Sequence, residues 1–333
     1  MRTARCTVLV AISLAAVTAC SGASVPSAAP GASTPSSGTS TPAPPTSATP
    51  PAGPTSSTTP SATATASLTF HAEAAMATVR KLAGEIGPRE ATSAAFRQAA
   101  TWVEQQFAAL GYDAQRQVLH VPSGVSWGVP VRAGRTWNVV ARPRGMKPGE
   151  PYLLVGAHLD TVPQAPGAED NASGIGVVLE VARLAAAAPT RLPVVFVAFA
   201  AEEPRGSGDS RHHYGSRAMV ARMSAAERNA LRGMVALDRV GVGQPVPVCD
   251  GGLGSSSVVR SVRRAAHATG VRTSDCGVNR LSDHWSFELA GLPAARIGGT
   301  PYAQYHSARD LPPVVELAQL DRSGRLLWAW LRR

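Results

Sequence analysis

Short apolar runs that each end near an acidic residue or a histidine are the feature that most restricts how this chain can fold. The run 192–200 contains only apolar residues and one proline, which is typical of a strand buried on both faces. Glu202 and Glu203 follow this run after a single alanine. Two carboxylates at the end of a buried strand repel each other unless a positive charge lies between them. The sequence therefore predicts a bound cation at this point.

Further carboxylates and histidines occur at the ends of other apolar runs or in the loops that follow them. In an α/β sheet the site lies beyond the carboxyl ends of the strands, so the fold brings such groups together. A mixed imidazole and carboxylate set suits Zn(II), and two histidines with three acids, one of them shared, suit two metal ions. The residues of this set are His158, Asp160, Asp170, Glu202, Glu203, Asp238, Tyr305 and His306.

Helical and strand-like patterns alternate from residue 68 onward, which favours a single α/β domain. Apolar residues recur at helical spacing in six segments, and five short apolar or alternating segments are typical of strands. Such alternation predicts a central, mostly parallel or mixed β-sheet with helices on both faces. The predicted helices cover 70–86, 91–110, 173–188, 215–223, 256–268 and 314–331, and the predicted strands cover 115–121, 137–141, 152–157, 193–200 and 234–237.

The beginning of the chain differs in composition from the rest. A basic start followed by the short apolar stretch 8–17 is typical of a signal peptide, which we place at residues 1–19. The sequence Val-Thr-Ala-Cys that ends at Cys20 resembles a bacterial lipobox, so we expect a lipid anchor there, on the outer face of the bacterial cell membrane. Ordinary cleavage at the same place, giving a secreted protein, is the alternative. Residues 20–67 are rich in Ser, Thr, Ala and Pro and contain no charged or aromatic residue, which predicts a disordered linker before a domain at 68–333.

The charge distribution disfavours one class of partner. The chain has 32 Lys and Arg residues against 22 Asp and Glu residues, which gives a formal net charge of +10. The arginines are scattered along the sequence, and no basic stretch is interleaved with aromatic residues. We therefore expect no nucleic-acid binding.

Two cysteines, Cys249 and Cys276, lie inside the predicted domain. An even pair in an exported protein is most simply a disulfide, and a pair of buried free thiols is the alternative. Their spacing resembles no metal site.

Six short segments resemble the M28 family of zinc aminopeptidases. They are 156–160, 170–174, 201–203, 237–238, 282–284 and 305–307. The resemblance extends over nearly all of the predicted domain. It implies a monomeric di-zinc exopeptidase that acts on peptides with a free N-terminus and has a central mixed sheet flanked by helices. It also implies that His158, Asp170 and Asp238 hold one zinc ion, and that Asp170, Glu203 and His306 hold the other.

The resemblance implies further roles for residues that do not bind zinc. Glu202 matches the general base, which takes a proton from water and returns it to the leaving amine. Tyr305 is the candidate donor of a hydrogen bond to the oxyanion. Asp160 would orient His158, and Asp283 would support the pocket or the loop that carries His306.

One segment departs from the family pattern. In the family the glutamate pair is commonly followed within a few residues by Gly-Ser, whereas here Gly215 and Ser216 come only after the longer loop 204–214. This loop contains His212 and His213, which we interpret as loop residues rather than metal ligands. We expect the loop to line or cover the cleft and so to influence specificity.

Two other functions stay open at this point. Glutaminyl cyclase uses the same scaffold with a single zinc ion and keeps similar ligand positions, including an aspartate like Asp283. A catalytically inactive binding module is a different class of protein, and it would be expected to lack a ligand or the base. None of those residues is missing from this chain. Metal stoichiometry, together with assays on Gln-peptides and on Leu-amides, separates the cyclase from the aminopeptidase.

Overall fold

A computed structural model describes residues 68–333 of the chain, and eight α-helices and ten β-strands lie within this range. The helices are α1 (Ala72–Val79), α2 (Ala94–Ala109), α3 (Ser173–Ala187), α4 (Tyr214–Arg222), α5 (Ala225–Ala230), α6 (Ser257–Ala268), α7 (His284–Leu289) and α8 (Leu317–Arg332). The strands are β1 (Asp113–Val121), β2 (Gly124–Ser126), β3 (Val129–Val131), β4 (Gly134–Arg142), β5 (Tyr152–His158), β6 (Val194–Phe199), β7 (Leu231–Leu237), β8 (Val246–Asp250), β9 (Thr273–Val278) and β10 (Ala294–Ile297).

Eight of the described strands form one mixed sheet in the order β1-β4-β6-β5-β7-β10-β8-β9. The four central strands β6, β5, β7 and β10 are parallel to one another. Both flanks are joined by antiparallel pairs, β4 with β6 on one side and β8 with β10 on the other. The carboxyl ends of the central strands therefore meet at one edge. This architecture confirms the predicted α/β domain with a mixed sheet.

The central strands are apolar because both faces of the sheet are covered. Every residue of β5 and of β6 is buried. Alternate side chains of β5 enter different cores: Leu153 and Val155 join the larger core, and Leu154 joins the smaller one. Helices α1, α2, α3, α6 and α8 contribute to the larger core, whereas α4 and α7 cover the opposite face. This two-sided burial accounts for continuous apolar runs in place of alternation.

The predicted elements are present, and several further elements are short. The predicted helix 70–86 is α-helical only as far as Val79 and continues as a π-helical segment, Arg80–Ile86. Strands β2, β3, β8, β9 and β10 and helices α5 and α7 have no counterpart in the sequence-based prediction. None of them is longer than six residues, which is too short for a periodic pattern to be recognised.

A disulfide joins Cys249 of β8 to Cys276 of β9, next to each other at one end of the sheet. Between residues 68 and 333 no helix has both the length and the apolar character needed to cross a membrane. The predicted signal peptide, the lipidation site at Cys20 and the predicted linker lie outside the described residues.

Candidate metal centre

The carboxyl ends of three central strands deliver most of the candidate ligands. His158 is the last residue of β5, Glu203 lies four residues beyond the end of β6, and Asp238 directly follows β7. Asp170 comes from the short segment between β5 and α3, and His306 comes from the loop between β10 and α8. All five side chains are buried. The structure thus gathers the residues predicted as ligands at one edge of the sheet.

Asp170 lies between the two histidines. Its Oδ1 is 3.0 Å from Nε2 of His158, and its Oδ2 is 3.0 Å from Nε2 of His306. Three groups of possible ligand atoms result, and two of them share Asp170: His158 with Asp170 and Asp238, and Asp170 with Glu203 and His306. The third comprises His158, Glu202 and Glu203. Within each group the atoms lie within 4.8 Å of one another. The geometry is that of two adjacent sites that share one carboxylate.

Several buried atoms of these groups are unsatisfied. Glu203 Oε1, Asp238 Oδ1 and His306 Nε2 have no hydrogen-bond partner among the described residues. A buried polar atom without a partner is costly, and such atoms are explained when an ion binds them. Imidazole nitrogen and carboxylate oxygen are the ligand types that zinc prefers. The residues present therefore fit a zinc site.

Burial and mutual charge perturb the titration of the cluster. Burial raises the pKa of Glu202 to about 8 and the pKa of Glu203 to about 7. Burial alone would lower the pKa of His306, but the carboxylates of Glu203 and Asp170 raise it to about 10. Burial also opposes ionisation of Asp170, yet the two histidines hold its pKa well below the usual value. Without a metal ion the cluster retains protons near neutral pH.

Asp160 connects His158 to the glutamate pair. Its Oδ1 accepts a hydrogen bond from the backbone N–H of Glu202 at 3.1 Å, and its Oδ2 accepts one from that of Glu203 at 3.2 Å. The backbone carbonyl of Asp160 lies 3.1 Å from Nδ1 of His158. A carbonyl only accepts, so this contact places a proton on Nδ1 and leaves Nε2 to face Asp170. Asp160 thus contacts the imidazole through its backbone and the glutamates through its carboxylate.

The sequence that carries this geometry matches a known family. Residues 138–331, more than half of the chain, match the sequence profile of "Peptidase family M28". The chain belongs to peptidase family M28. Aminopeptidase YwaD of Bacillus subtilis is 32% identical to this M28 chain over 202 residues, which cover 57% of the chain and 42% of the relative. The chain therefore spans less than half the length of this curated relative.

Solved structures with a similar fold include zinc aminopeptidases and glutaminyl cyclases. The zinc aminopeptidase BSAP of Bacillus subtilis superposes with a TM-score of 0.70 at 20% identity, covering 79% of the M28 chain and 95% of the neighbour. Porphyromonas gingivalis glutaminyl cyclase superposes with a TM-score of 0.67 at 24% identity, covering 80% of the M28 chain and 99% of the cyclase chain. At these identities the likeness shows the shared fold.

The M28 chain holds the Asp170 segment in place with residues that the sequence did not single out as a pair. Buried Arg89 donates hydrogen bonds to the backbone carbonyls of Pro166 at 2.5 Å and Gly167 at 3.0 Å. Asp310 accepts a hydrogen bond from the backbone N–H of Asp170 at 3.2 Å. Both contacts are long-range, so no local pattern could have linked them to Asp170. Together they fix the segment from two sides.

A buried arginine contacts one of the predicted ligands. Arg296 of β10 is fully buried, and its Nη2 lies 3.1 Å from Oδ2 of Asp238. Arg239 Nε lies 3.6 Å from the other oxygen, Oδ1. Asp238 therefore faces two guanidinium groups as well as His158. The signal in the sequence was a charged residue inside the short apolar strand β10, Ala-Ala-Arg-Ile.

The hairpin β2–β3 places an unpredicted aromatic residue at the site. Trp127, at its turn, has its ring centroid 4.3 Å from that of His306. Gly124 lies so close to the backbone of Arg205 that a Cβ would come within 1.9 Å of the Arg205 carbonyl oxygen. Arg205 Nε donates to the carbonyl of Pro122 at 2.7 Å, which ties the base of the hairpin to the loop after the glutamates.

The remaining predicted site residues surround the two groups. The ring of Tyr305 stacks on that of His306 at a centroid distance of 3.6 Å. Asp283 is buried at the start of α7, and burial together with the charge of Glu202 raises its pKa to about 7. In the loop 204–214, His212 is half-buried, whereas His213 is buried and lies 3.2 Å from Glu202. The structure thus separates the roles of the two loop histidines.

Proposed function

We propose that the chain is a metalloaminopeptidase that uses two zinc ions to remove the N-terminal residue of peptides. The observation that carries the proposal is the position of Asp170, with one carboxylate oxygen 3.0 Å from each histidine. A carboxylate shared in this way is the usual centre of a two-metal site. Membership of family M28 supports the same reaction class.

The two groups of ligands divide the metal binding. His158, Asp170 and Asp238 would hold one zinc ion, and Asp170, Glu203 and His306 would hold the other. Zinc bound at these positions would supply Lewis-acid chemistry, polarising the scissile carbonyl and making a water molecule more acidic. The remaining steps belong to side chains of this protein.

Glu202 is the proposed general base. It lies outside the two groups that share Asp170, although the structure also groups it with His158 and Glu203, and its Oε2 is 4.0 Å from Nε2 of His158. As a carboxylate it would take a proton from the attacking water and return it to the leaving amine. Tyr305 would donate a hydrogen bond to the oxyanion. Partial burial raises its pKa, so its hydroxyl keeps the proton that it would donate.

Substitution of the base tests this assignment. Glu202→Gln keeps the size of the side chain and removes its basicity, so turnover of Leu-p-nitroanilide should fall by about 10²–10⁴-fold. Bound zinc per chain should stay at the wild-type value. Glu73→Gln, an exposed glutamate on α1, is the control and should leave both measurements unchanged. Near-wild-type turnover of Glu202→Gln would remove Glu202 from the mechanism, and full activity after complete chelation would remove the metal.

A single-zinc glutaminyl cyclase is the second candidate function, and the contact between Arg296 and Asp238 favours it. A guanidinium 3.1 Å from Asp238 weakens the attraction of that carboxylate for a second cation. Zinc analysis and an assay with N-terminal Gln-peptides decide between the two reactions. One zinc per chain with pyroglutamate formation indicates the cyclase, and two zinc ions with release of N-terminal leucine indicate the aminopeptidase.

The location of the enzyme is part of the proposal. We propose that residues 1–19 direct export, that a lipid on Cys20 anchors the protein to the outer face of the membrane, and that residues 20–67 tether a catalytic domain at 68–333. The domain would act there on peptides as a monomer. Cys20→Ser should release the protein from the membrane fraction. Unchanged membrane association of this variant would contradict the anchor.

A further inference from the structure

The loop 204–214 folds back onto the glutamate pair. The backbone N–H of His213 donates to the carbonyl of Glu202 at 3.0 Å, and that of Tyr214 donates to the carbonyl of Ala201 at 2.8 Å. The loop is also fixed further along, because Trp285 Nε1 donates to Oδ2 of Asp209 at 2.8 Å. The segment that departs from the family pattern therefore lies directly against the proposed base.

The side chain of His213 reaches the carboxylate of Glu202. His213 Nε2 lies 3.2 Å from Oε1 of Glu202 but forms no aligned hydrogen bond there, whereas Oε2 lies 4.0 Å from His158 Nε2. His213 is buried, and its backbone adopts the left-handed conformation with φ 57°. A non-glycine residue is uncommon in this conformation. The buried imidazole and the strained backbone thus occur together at a residue that contacts Oε1.

A glutamate carboxylate has no strong torsional preference of its own. The terminal χ3 torsion is broad and roughly two-fold, so neighbours determine which way the two oxygens point. On one side of Glu202 lie the ligands of the metal centre, and on the other side lies His213. Without a partner at Oε1 the carboxylate would be free to turn its oxygens away from the ligands.

We propose that His213 is a positioning residue, whose buried imidazole packs against Oε1 of Glu202 so that Oε2 points at the metal centre and the attacking water. The proposal rests on the proposed function of Glu202 as general base. His212 has no such role, because its contacts lie outside the centre. The long loop would therefore contribute to the orientation of the base.

Two substitutions at one position separate positioning from backbone strain. The side-chain amide of Asn reaches only as far as Nδ1 of histidine, whereas that of Gln reaches about as far as Nε2. Asn tolerates the left-handed backbone better than Gln does. A purely structural role for His213 therefore predicts that Asn is the milder change, and positioning predicts that Gln is.

If His213 positions Glu202, we expect His213→Gln to be the milder of the two changes. His213→Asn should lower kcat by about 10–100-fold with KM within about threefold, as is typical when a residue that orients a catalytic group is lost. His213→Gln should recover most of the loss, and zinc per chain should stay constant. His212→Asn is the matched control and should be as active as the wild type. Equal activity of His213→Asn and wild type, or a larger loss in His213→Gln than in His213→Asn, overturns the proposal.

A crystal structure of zinc-loaded His213→Asn supplies a readout that does not depend on turnover. The Glu202 carboxylate should be rotated or spread over two orientations, and the metal ligands should keep their places. A carboxylate in the wild-type orientation would overturn the positioning role. An active Glu202→Gln would instead remove the proposed function of the base, so the two failures are distinguishable.

Discussion

Asp238 shows how one buried carboxylate is prepared for a cation. Burial opposes its ionisation, but the guanidinium of Arg296 and the imidazole of His158 hold its pKa below the usual range. Oδ2 is occupied by Arg296, and Oδ1 has no hydrogen-bond partner among the described residues. Asp238 therefore offers one free oxygen toward His158, already ionised before a metal ion arrives.

Removal of Arg296 should destabilise the metal-free protein more than the loaded one. In Arg296→Met the chelated protein keeps a buried Asp238 that has lost its nearest guanidinium and retains only the more distant Arg239 and His158, which should cost about 3 kcal/mol of unfolding free energy. Zinc supplies a positive charge at the same carboxylate, so the loss should be smaller in the loaded protein. Denaturant unfolding with chelator and with zinc measures both values. Arg325→Met removes an exposed ion pair with Asp321 and should cost about 1 kcal/mol or less in either state. Equal losses for Arg296→Met in both states would contradict the expectation.

The glutamate pair should make the stability of the chelated protein depend on pH. Burial raises the pKa of Glu202 to about 8 and that of Glu203 to about 7 in the folded protein, above the ordinary glutamate value of 4.5. Below pH 4.5 both states hold these protons, and above it the unfolded chain releases them first. The stability that these two protonated carboxyl groups contribute is therefore fully present below pH 4.5 and is lost as pH rises toward 8. His306, raised from 6.5 to about 10, extends the loss to higher pH.

Thermal unfolding between pH 5 and pH 8 checks this sign. The Tm of the chelated protein should fall across the range, and the gain in Tm on adding zinc should grow, because the metal replaces the protons. Glu203→Gln should flatten the fall, since an amide releases no proton. A chelated Tm that stays level or rises with pH would show that these carboxylates are not buried as acids.

The sequence could indicate which side chains gather at the site, because each one follows an apolar strand or lies in a loop beyond a strand end. The sequence could not indicate which other side chains contact these residues on the side away from the metal centre. Arg296 and Arg89 contact residues 58–78 positions away, and His213 contacts Glu202 across a loop, so nothing local marks such pairs. Their identification needed the fold.

The length of each helix or strand determined whether the sequence could predict it. Long periodic helices such as α2 and α3 and fully buried strands such as β5 and β6 carry enough residues to display their period. The hairpin β2–β3 has three residues in each strand. It carries Trp127 to His306 only because its base is tied to Arg205, a tertiary contact.

The disulfide links the edge strand β9 to its neighbour β8. It closes a loop of 27 residues, so the double variant Cys249→Ala/Cys276→Ala should lose about 3–4 kcal/mol of unfolding free energy. Denaturant unfolding measures this, with reductant-treated wild type as the control. Zinc per chain should stay at the wild-type value. Loss of zinc in the variant would show that β8, which pairs with β10 at Arg296, also carries strain to the metal centre.

Over the whole molecule, the beginning of the described range is packed against its end. Phe70 is buried so tightly on α8 that a Cβ at Gly324 would lie 2.2 Å from its ring. The backbone N–H of His71 donates to Glu180 of α3 at 2.9 Å. Helices from both ends of the domain thus share the larger core.

Truncation tests the proposed domain boundary. A protein that comprises residues 68–333 should unfold at the same denaturant concentration as the full chain, because it keeps these contacts. A protein that starts at Glu73 loses Phe70 and should be less stable by about 3–5 kcal/mol. Phe70→Ala in the longer protein is the matched control and should reproduce most of that loss. A large loss already in 68–333 would move the boundary toward the beginning of the chain.

The wide separation of the candidate ligands has a consequence for timing. His158 and His306 stand at opposite ends of the ligand set, and Asp310, which holds the Asp170 segment, comes later still. The two groups of candidate ligands that share Asp170 are therefore incomplete during synthesis until the ribosome has passed His306, well over a hundred residues after His158.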